Sequence, residues 1–203
     1  MTAKLSAKNL TLISGESCLF QGLEFTLNRG ELLLLEGQNG SGKTSLMRAI
    51  AGMLNLESGE ILWNDIPVGR QRQDFHGELV WLAHRSGLKG DLTLVENLRF
   101  ERSLRAQSNF DAADIYARLG IARLKRLPLR SLSAGQQRRV ALARLLMADV
   151  PLWLLDEPFT NLDGDGRQLV VNLIEEHLAG GGMCVMAAHQ SVELDAPIIG
   201  VKL

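Results

Sequence analysis

Glu31-Leu32-Leu33-Leu34-Leu35-Glu36-Gly37-Gln38-Asn39-Gly40-Ser41-Gly42-Lys43-Thr44-Ser45-Leu46-Met47-Arg48-Ala49-Ile50 is the stretch that decides the fold. Residues 31–35 form a short apolar run, as in a strand buried on both faces of a parallel sheet. Residues 45–52 carry apolar side chains at three- and four-residue intervals, which predicts a helix. Between them, residues 37–44 fit G-x-x-x-x-G-K-[ST], a phosphate loop. Strand, glycine turn and helix N-terminus aim backbone N–H groups and a positive dipole end at one point. Gly37, Gly40 and Gly42 let the backbone approach phosphate oxygens without a Cβ in the way. Lys43 reaches the β- and γ-phosphates in this reading, and the Thr44 hydroxyl ligates Mg²⁺. Gln38, Asn39, Ser41 and Ser45 complete the candidate nucleotide-phosphate site.

A second apolar run, Val150-Pro151-Leu152-Trp153-Leu154-Leu155, ends in Asp156-Glu157-Pro158. Pro151 fits only as the first residue of such a strand. The run delivers two carboxylates to the sheet's carboxyl edge, where ligands of open α/β sheets bind. Asp156 is the candidate Mg²⁺ holder, through water, and Glu157 the candidate group polarising the attacking water. A third run, Met183-Cys184-Val185-Met186-Ala187-Ala188, leads to His189 at the same edge. A neutral imidazole there can donate to a γ-phosphate and accept from a neighbour.

One nucleotide needs one phosphate loop, yet Leu132-Ser133-Ala134-Gly135-Gln136 is a second glycine-bearing turn opening a helix. Ser133 is a good N-cap, and Gly135 permits close anion approach at a helix N-terminus. Such a pair of turns suggests two copies sharing each nucleotide.

In order and content, these motifs resemble the ATP-binding cassette (ABC) ATPases over essentially the whole chain: residues 37–44, 132–136, Asp156-Glu157, Leu162-Asp163 and His189. The resemblance implies an α/β fold, a P-loop NTPase core of the ABC nucleotide-binding type with an antiparallel β flank and a helical subdomain. It also implies a head-to-tail dimer, in which Leu132, Ser133, Ala134, Gly135 and Gln136 of one copy cap ATP held by the other and Asp163 bridges the interface. Leu82-Ala83-His84-Arg85-Ser86-Gly87-Leu88-Lys89, the run from Leu132 to Leu145, and Asp156-Glu157-Pro158-Phe159-Thr160 are similar to one subfamily. That subfamily is the ATP-binding subunits of the bacterial cytochrome c maturation, or haem exporter, complex. By this resemblance the chain is an ATPase driving integral membrane permease subunits, with ATP and Mg²⁺ as cofactors. Transporters of other cargo share most of these motifs, and a soluble ABC ATPase without a transport role is the further alternative.

Two departures from the broader pattern bear on the site. A glutamine usual in ABC proteins is replaced by His84 or, one residue out of register, Arg85. A hard cation prefers oxygen ligands, so direct Mg²⁺ contact by His84 is not expected. Ahead of the phosphate loop, Leu12-Ile13-Ser14-Gly15-Glu16 lacks the adenine-stacking aromatic, the next being Phe20. Loose base selectivity follows.

The 203 residues, 46% hydrophobic and 22% charged, suit one compact domain. No apolar run approaches the roughly eighteen residues of a membrane span, and residues 1–6 lack a signal-peptide core. The expected location is therefore peripheral, on the cytoplasmic face of the inner membrane, attached through partners. A formal net charge of −1 argues against nucleic-acid binding. Arg118, Arg123, Lys125, Arg126 and Arg130 read as a solvated surface, with lipid headgroups or acidic permease loops as the sharper alternative. Cys18 and Cys184 read as buried small hydrophobes. His76, His84, His177 and His189 lack metal-ligand spacing and are assigned to a turn, a switch, a surface helix and the γ-phosphate, leaving haem to the partners. Residues 5–12, 23–27 and 60–63 alternate apolar and polar, as an antiparallel flank does. Residues 85–131 form the helical insert, with a capping box at Thr93-Leu94-Val95-Glu96, an N-cap at Asp111 and a stop at Gly120.

Overall fold

The computed structural model describes residues 3–15, 17–103, 111–188 and 193–203; His189 lies outside them. Strands β1 (Lys4–Ser14) and β2 (Ser17–Asn28) form a long hairpin, followed by β3 (Leu32–Glu36) and helix α1 (Lys43–Ile50). Next come β4 (Ser58–Trp63), β5 (Ile66–Pro67), α2 (Arg72–Gly77) and β6 (Leu79–Leu82). Helices α3 (Leu94–Ser103), α4 (Ala112–Arg118) and α5 (Ala134–Ala148) then lead to β7 (Leu152–Asp156), α6 (Gly164–Ala179), β8 (Met183–Ala187) and β9 (Ile198–Lys202). Between β6 and α5 the described residues are helix, 3-10 turn and loop, apart from one bridge between Thr93 and Pro128.

Two sheets result. The first is antiparallel, in the order β2-β1-β4-β5, and the second is parallel, in the order β6-β7-β8-β3-β9. In the first, β1 skips register after Ala7, where Asn9 takes a φ of 48°. Gly59 faces that bulge. A Cβ on it would lie 2.3 Å from the Asn9 carbonyl oxygen, so only glycine lets β4 pass.

The period-two geometry of strands sorts the parallel sheet's side chains into two cores. Leu33, Leu35, Leu152, Leu154, Met183, Val185 and Ala187 face the antiparallel sheet and α1. Leu32, Trp153, Leu155, Cys184 and Met186 face α5, α6 and the helices of the insert. Burial on both faces explains why these strands read as unbroken apolar runs, and every residue of β7 and β8 is buried. Pro151 sits just outside β7 rather than in it, accepting from the Met183 N–H through its carbonyl.

The expected caps are present. Thr93 and Glu96 exchange hydrogen bonds ahead of α3, and Asp111 accepts from the Ala113 N–H. Gly120 closes α4 with a φ of 67°, its N–H bonding Ala117 and the Ile121 N–H bonding Tyr116, the Schellman arrangement. Two readings are corrected. Cys184 is buried, its thiol pKa pushed up by burial, but Cys18 is exposed near the start of β2. His177 is half-buried, its ring stacked on Trp153 at 3.9 Å and Nε2 lying 3.2 Å from the Met183 carbonyl oxygen. The sequence pattern showed a polar residue in the last turn of a helix, not the strand ends against which that turn packs.

Candidate functional site: two separate recesses

Because β3 and β7 both pair with β8, their carboxyl ends converge on one edge of the parallel sheet. From β3 the chain enters the phosphate loop, and Lys43 and Thr44 already lie in the first turn of α1. From β7 emerges Asp156, only 4% exposed. The Thr44 hydroxyl donates to Asp156 Oδ2 at 3.0 Å, and the Lys43 ammonium donates to the carbonyls of Gly37 and Gln38 at 2.7 and 2.9 Å. Asn39, Gly40, Gly42, Lys43, Thr44, Ser45, Asp156 and Glu157 line a recess of about 160 Å³. Within the loop, Ser41 Oγ is buried without a hydrogen-bond partner among the described residues. Gly37, at a φ of 150°, leaves no room for a Cβ, which would meet that hydroxyl at 2.5 Å. Gly42 lies against Leu19 and Phe20 of β2.

Glu157 adopts a φ of 50°, a left-handed conformation uncommon for a non-glycine residue. Its N–H bonds the Ala187 carbonyl at 2.9 Å, and its Oε2 lies 3.4 Å from His84 Nδ1 and 3.3 Å from the Thr160 hydroxyl. His84 thus lies beside the carboxylate.

The second glycine-bearing turn, residues 132–136, called the signature turn below, lies elsewhere. Ser133 caps α5 by accepting from the Gln136 N–H at 3.2 Å, while Gln136 Oε1 accepts from the Ser133 N–H at 3.0 Å. Leu132 is buried in the core and anchors the turn, whereas Ala134 is exposed. Asp163 caps α6 by accepting from Gly166 N–H at 2.8 Å and also takes a 3.1 Å ion pair from Arg139. Those two bonds, the backbone one first, hold its carboxyl below the usual aspartate range. Ser133, Gly135, Gln136, Arg139, Asn161 and Asp163 share a cavity of about 590 Å³ with Arg123 of the basic cluster. In that cluster, Arg118 pairs with Glu176 and Arg130 with Asp91. This cavity and the phosphate-loop recess have no lining residue in common.

Arg138 is a residue to which the sequence motifs assign no role. It is 5% exposed and donates to four backbone carbonyls, those of Ala83, Asp156, Glu157 and Pro158. Burial pulls its pKa down, and the nearby Asp156 and Glu157 charges oppose that shift. A signal was available. Arg138 falls on the apolar stripe of α5 with Ala141, Leu142 and Leu145, where a cation needs internal partners.

A parallel-sheet phosphate loop, paired carboxylates and a second helix-opening turn define a nucleotide-binding cassette. Residues 20–160 match the family model described as ABC transporter, and the chain belongs to that family. It is 45% identical over 194 residues to the cytochrome c biogenesis ATP-binding export protein CcmA of Methylococcus capsulatus, covering 95% of this chain and 94% of the relative. The protein of the same name from Vibrio cholerae is 44% identical over 195 residues, with the same coverage. Among solved structures, a Pyrococcus furiosus protein described as an ABC transporter ATP-binding protein superposes with a TM-score of 0.83 at 24% identity, covering 98% and 97% of the two chains. The cbiO1 protein of Clostridium perfringens, part of the ABC transporter complex cbiONQ, gives 0.75 at 25% identity over 92% and 78%.

Proposed function

We propose that this chain is the ATP-binding and ATP-hydrolysing subunit of an export complex serving cytochrome c biogenesis. It acts as a head-to-tail pair of copies attached to integral membrane permease subunits. The similarity to relatives of that name over nearly the full chain supports the narrow assignment. The single observation behind the mechanism is that the phosphate-loop recess and the cavity beside residues 133–136 share no lining residue within one chain. One copy supplies residues 37–45, Asp156, Glu157 and His189; the other supplies residues 132–136 and Asp163.

The all-oxygen pair of Thr44 Oγ1 and Asp156 Oδ2, 3.0 Å apart, fits a hard divalent cation, and these residues would hold Mg²⁺. That ion would neutralise charge on the β- and γ-phosphates. The orphaned Ser41 hydroxyl and the N-terminus of α1 fit an anion in the same loop. Lys43 exchanges its carbonyl contacts for phosphate oxygens. Glu157 orients the attacking water, and closure of the second copy excludes bulk solvent. Residues 85–131 are the segment on which the permease docks. Among the described residues no helix is long and apolar enough to cross a membrane, in keeping with a subunit held at the cytoplasmic face of the inner membrane through its partners. Nucleic acid has no part in this reading.

Copurification of the tagged chain from membranes tests the assignment. Cytochrome-maturation membrane proteins are the expected partners, and a lipid or drug permease would overturn the cargo while leaving the ATPase. Glu157→Gln should remove nearly all turnover; full retention would overturn the catalytic assignment.

A further inference from the structure

The Arg138 guanidinium ties α5 to two segments that the nucleotide chemistry needs in fixed relation, the chain before His84 and residues 156–158. Its Nη1 donates to the carbonyl of Ala83, the residue before His84, at 3.1 Å. Nη2 donates to the carbonyls of Asp156 and Glu157 at 3.1 and 2.7 Å, and Nε to that of Pro158 at 3.2 Å. Its four hydrogen bonds all go to backbone carbonyls, and the nearby Asp156 and Glu157 charges add attraction. Five N–H donors in a rigid plane suit such a junction, and a lysine cannot reproduce it.

The Glu157 peptide is therefore gripped on both sides, its N–H by Ala187 and its carbonyl by Arg138. A left-handed non-glycine residue persists only where its surroundings over-determine it. The same guanidinium fixes the chain on either side of the 3.4 Å approach between His84 and Glu157. It also sits five residues along the helix that Ser133 caps. Through α5 it thus links the turn at residues 132–136 to the carbonyl of Glu157.

We propose that Arg138 is a positioning residue for ATP hydrolysis, holding Glu157 in its left-handed conformation beside His84 and tying that geometry to the signature helix. This rests on the reading of Glu157 as the group that orients the attacking water. Arg138 is buried, donates to backbone carbonyls and does not line the phosphate-loop recess, so its removal reduces the rate of the chemical step and spares binding. Misplacement by about an ångström costs on the order of 100-fold in rate.

The test measures ATP turnover and nucleotide affinity of the full chain carrying Arg138→Lys, Arg138→Gln or Arg138→Met, each alone and combined with Glu157→Gln. The expected result is a fall in kcat of about 10- to 100-fold, with KM and nucleotide affinity within about threefold of wild type. Arg138→Lys should restore little, and combination with Glu157→Gln should add little to the loss caused by Glu157→Gln alone. Unchanged kcat in Arg138→Lys, weakened nucleotide binding that accounts for the loss, or full additivity with Glu157→Gln would each overturn the proposal. If Arg138→Met does not fold, the lysine and glutamine variants carry the test. Retained turnover in Glu157→Gln itself would overturn the reading of Glu157, an outcome visible without any Arg138 variant.

Discussion

Gly135→Ala separates two reasons for a glycine in the signature turn. Close approach to an anion is one, and it matters only when nucleotide and a second copy are present. The other lies within a single chain. A Cβ on Gly135 would stand 2.8 Å from the carbonyl oxygen of Asn161, about half an ångström inside a normal carbon–oxygen contact. Asn161 has little freedom to retreat, since it already occupies a left-handed φ of 63°. Overpacking of this kind costs about 1–3 kcal/mol. Replacing glycine in a helix returns up to about 1 kcal/mol, less in a first turn. The net expectation is a loss of about 1–2 kcal/mol in the isolated chain without nucleotide. With a urea slope near 2 kcal/mol per molar, the unfolding midpoint falls by about 0.5–1 M. Equilibrium urea unfolding followed by circular dichroism reads this directly. A midpoint equal to or above wild type would refute the packing argument and leave anion approach as the sole reason for glycine.

Gly182→Ala should be a second severe glycine substitution, because its Cβ would lie 2.3 Å from the His177 ring. Expelling the ring forfeits the Trp153 stack and the bond to Met183, together about 2 kcal/mol; on a His177→Ala background the extra loss in urea unfolding should largely disappear. His177 also sets a pH dependence. Burial, its largest cause, holds its pKa below 6.5, so as pH falls through that value the unfolded chain takes up a proton that the folded chain resists, and stability drops. Between pH 7.5 and 5.5 the urea midpoint of wild type should therefore fall more than that of His177→Phe. Phe20 is buried against Gly42 rather than free to stack on a base, so GTP should be hydrolysed within about tenfold of the ATP rate, stacking being worth about 1–3 kcal/mol; a stronger ATP preference contradicts this.

The parts of the fold legible in sequence were those set by local rules. Residues 31–35, 150–155 and 183–188 read as strands because a sheet covered on both faces demands unbroken apolar runs. Ser133, Thr93 and Asp111 read as caps because their side chains answer to backbone donors two or three residues away. Less legible were features set by distant packing. Nothing near Cys18 in sequence shows that it is exposed at the start of an edge strand of the β2-β1-β4-β5 sheet. Nothing near His177 shows the Trp153 ring beneath it. Arg138 belongs to the same class, since its partners are 18 to 55 residues away and all are backbone carbonyls. Gly135 stands between the two. Its sequence context suggested anion approach, while the contact with Asn161 appears only once the chain is folded.

Division of one nucleotide site between two copies is most directly tested by mixing two inactive variants. Lys43→Ala disables the phosphate loop, and Ser133→Arg disables the signature turn. A head-to-tail pair containing one of each has one intact site and one doubly damaged site. Random pairing in an equimolar mixture should restore about a quarter of wild-type ATPase activity, and specific activity should rise with protein concentration. No recovery on mixing, or wild-type turnover that stays linear in protein down to demonstrably monomeric dilution, would contradict the shared site.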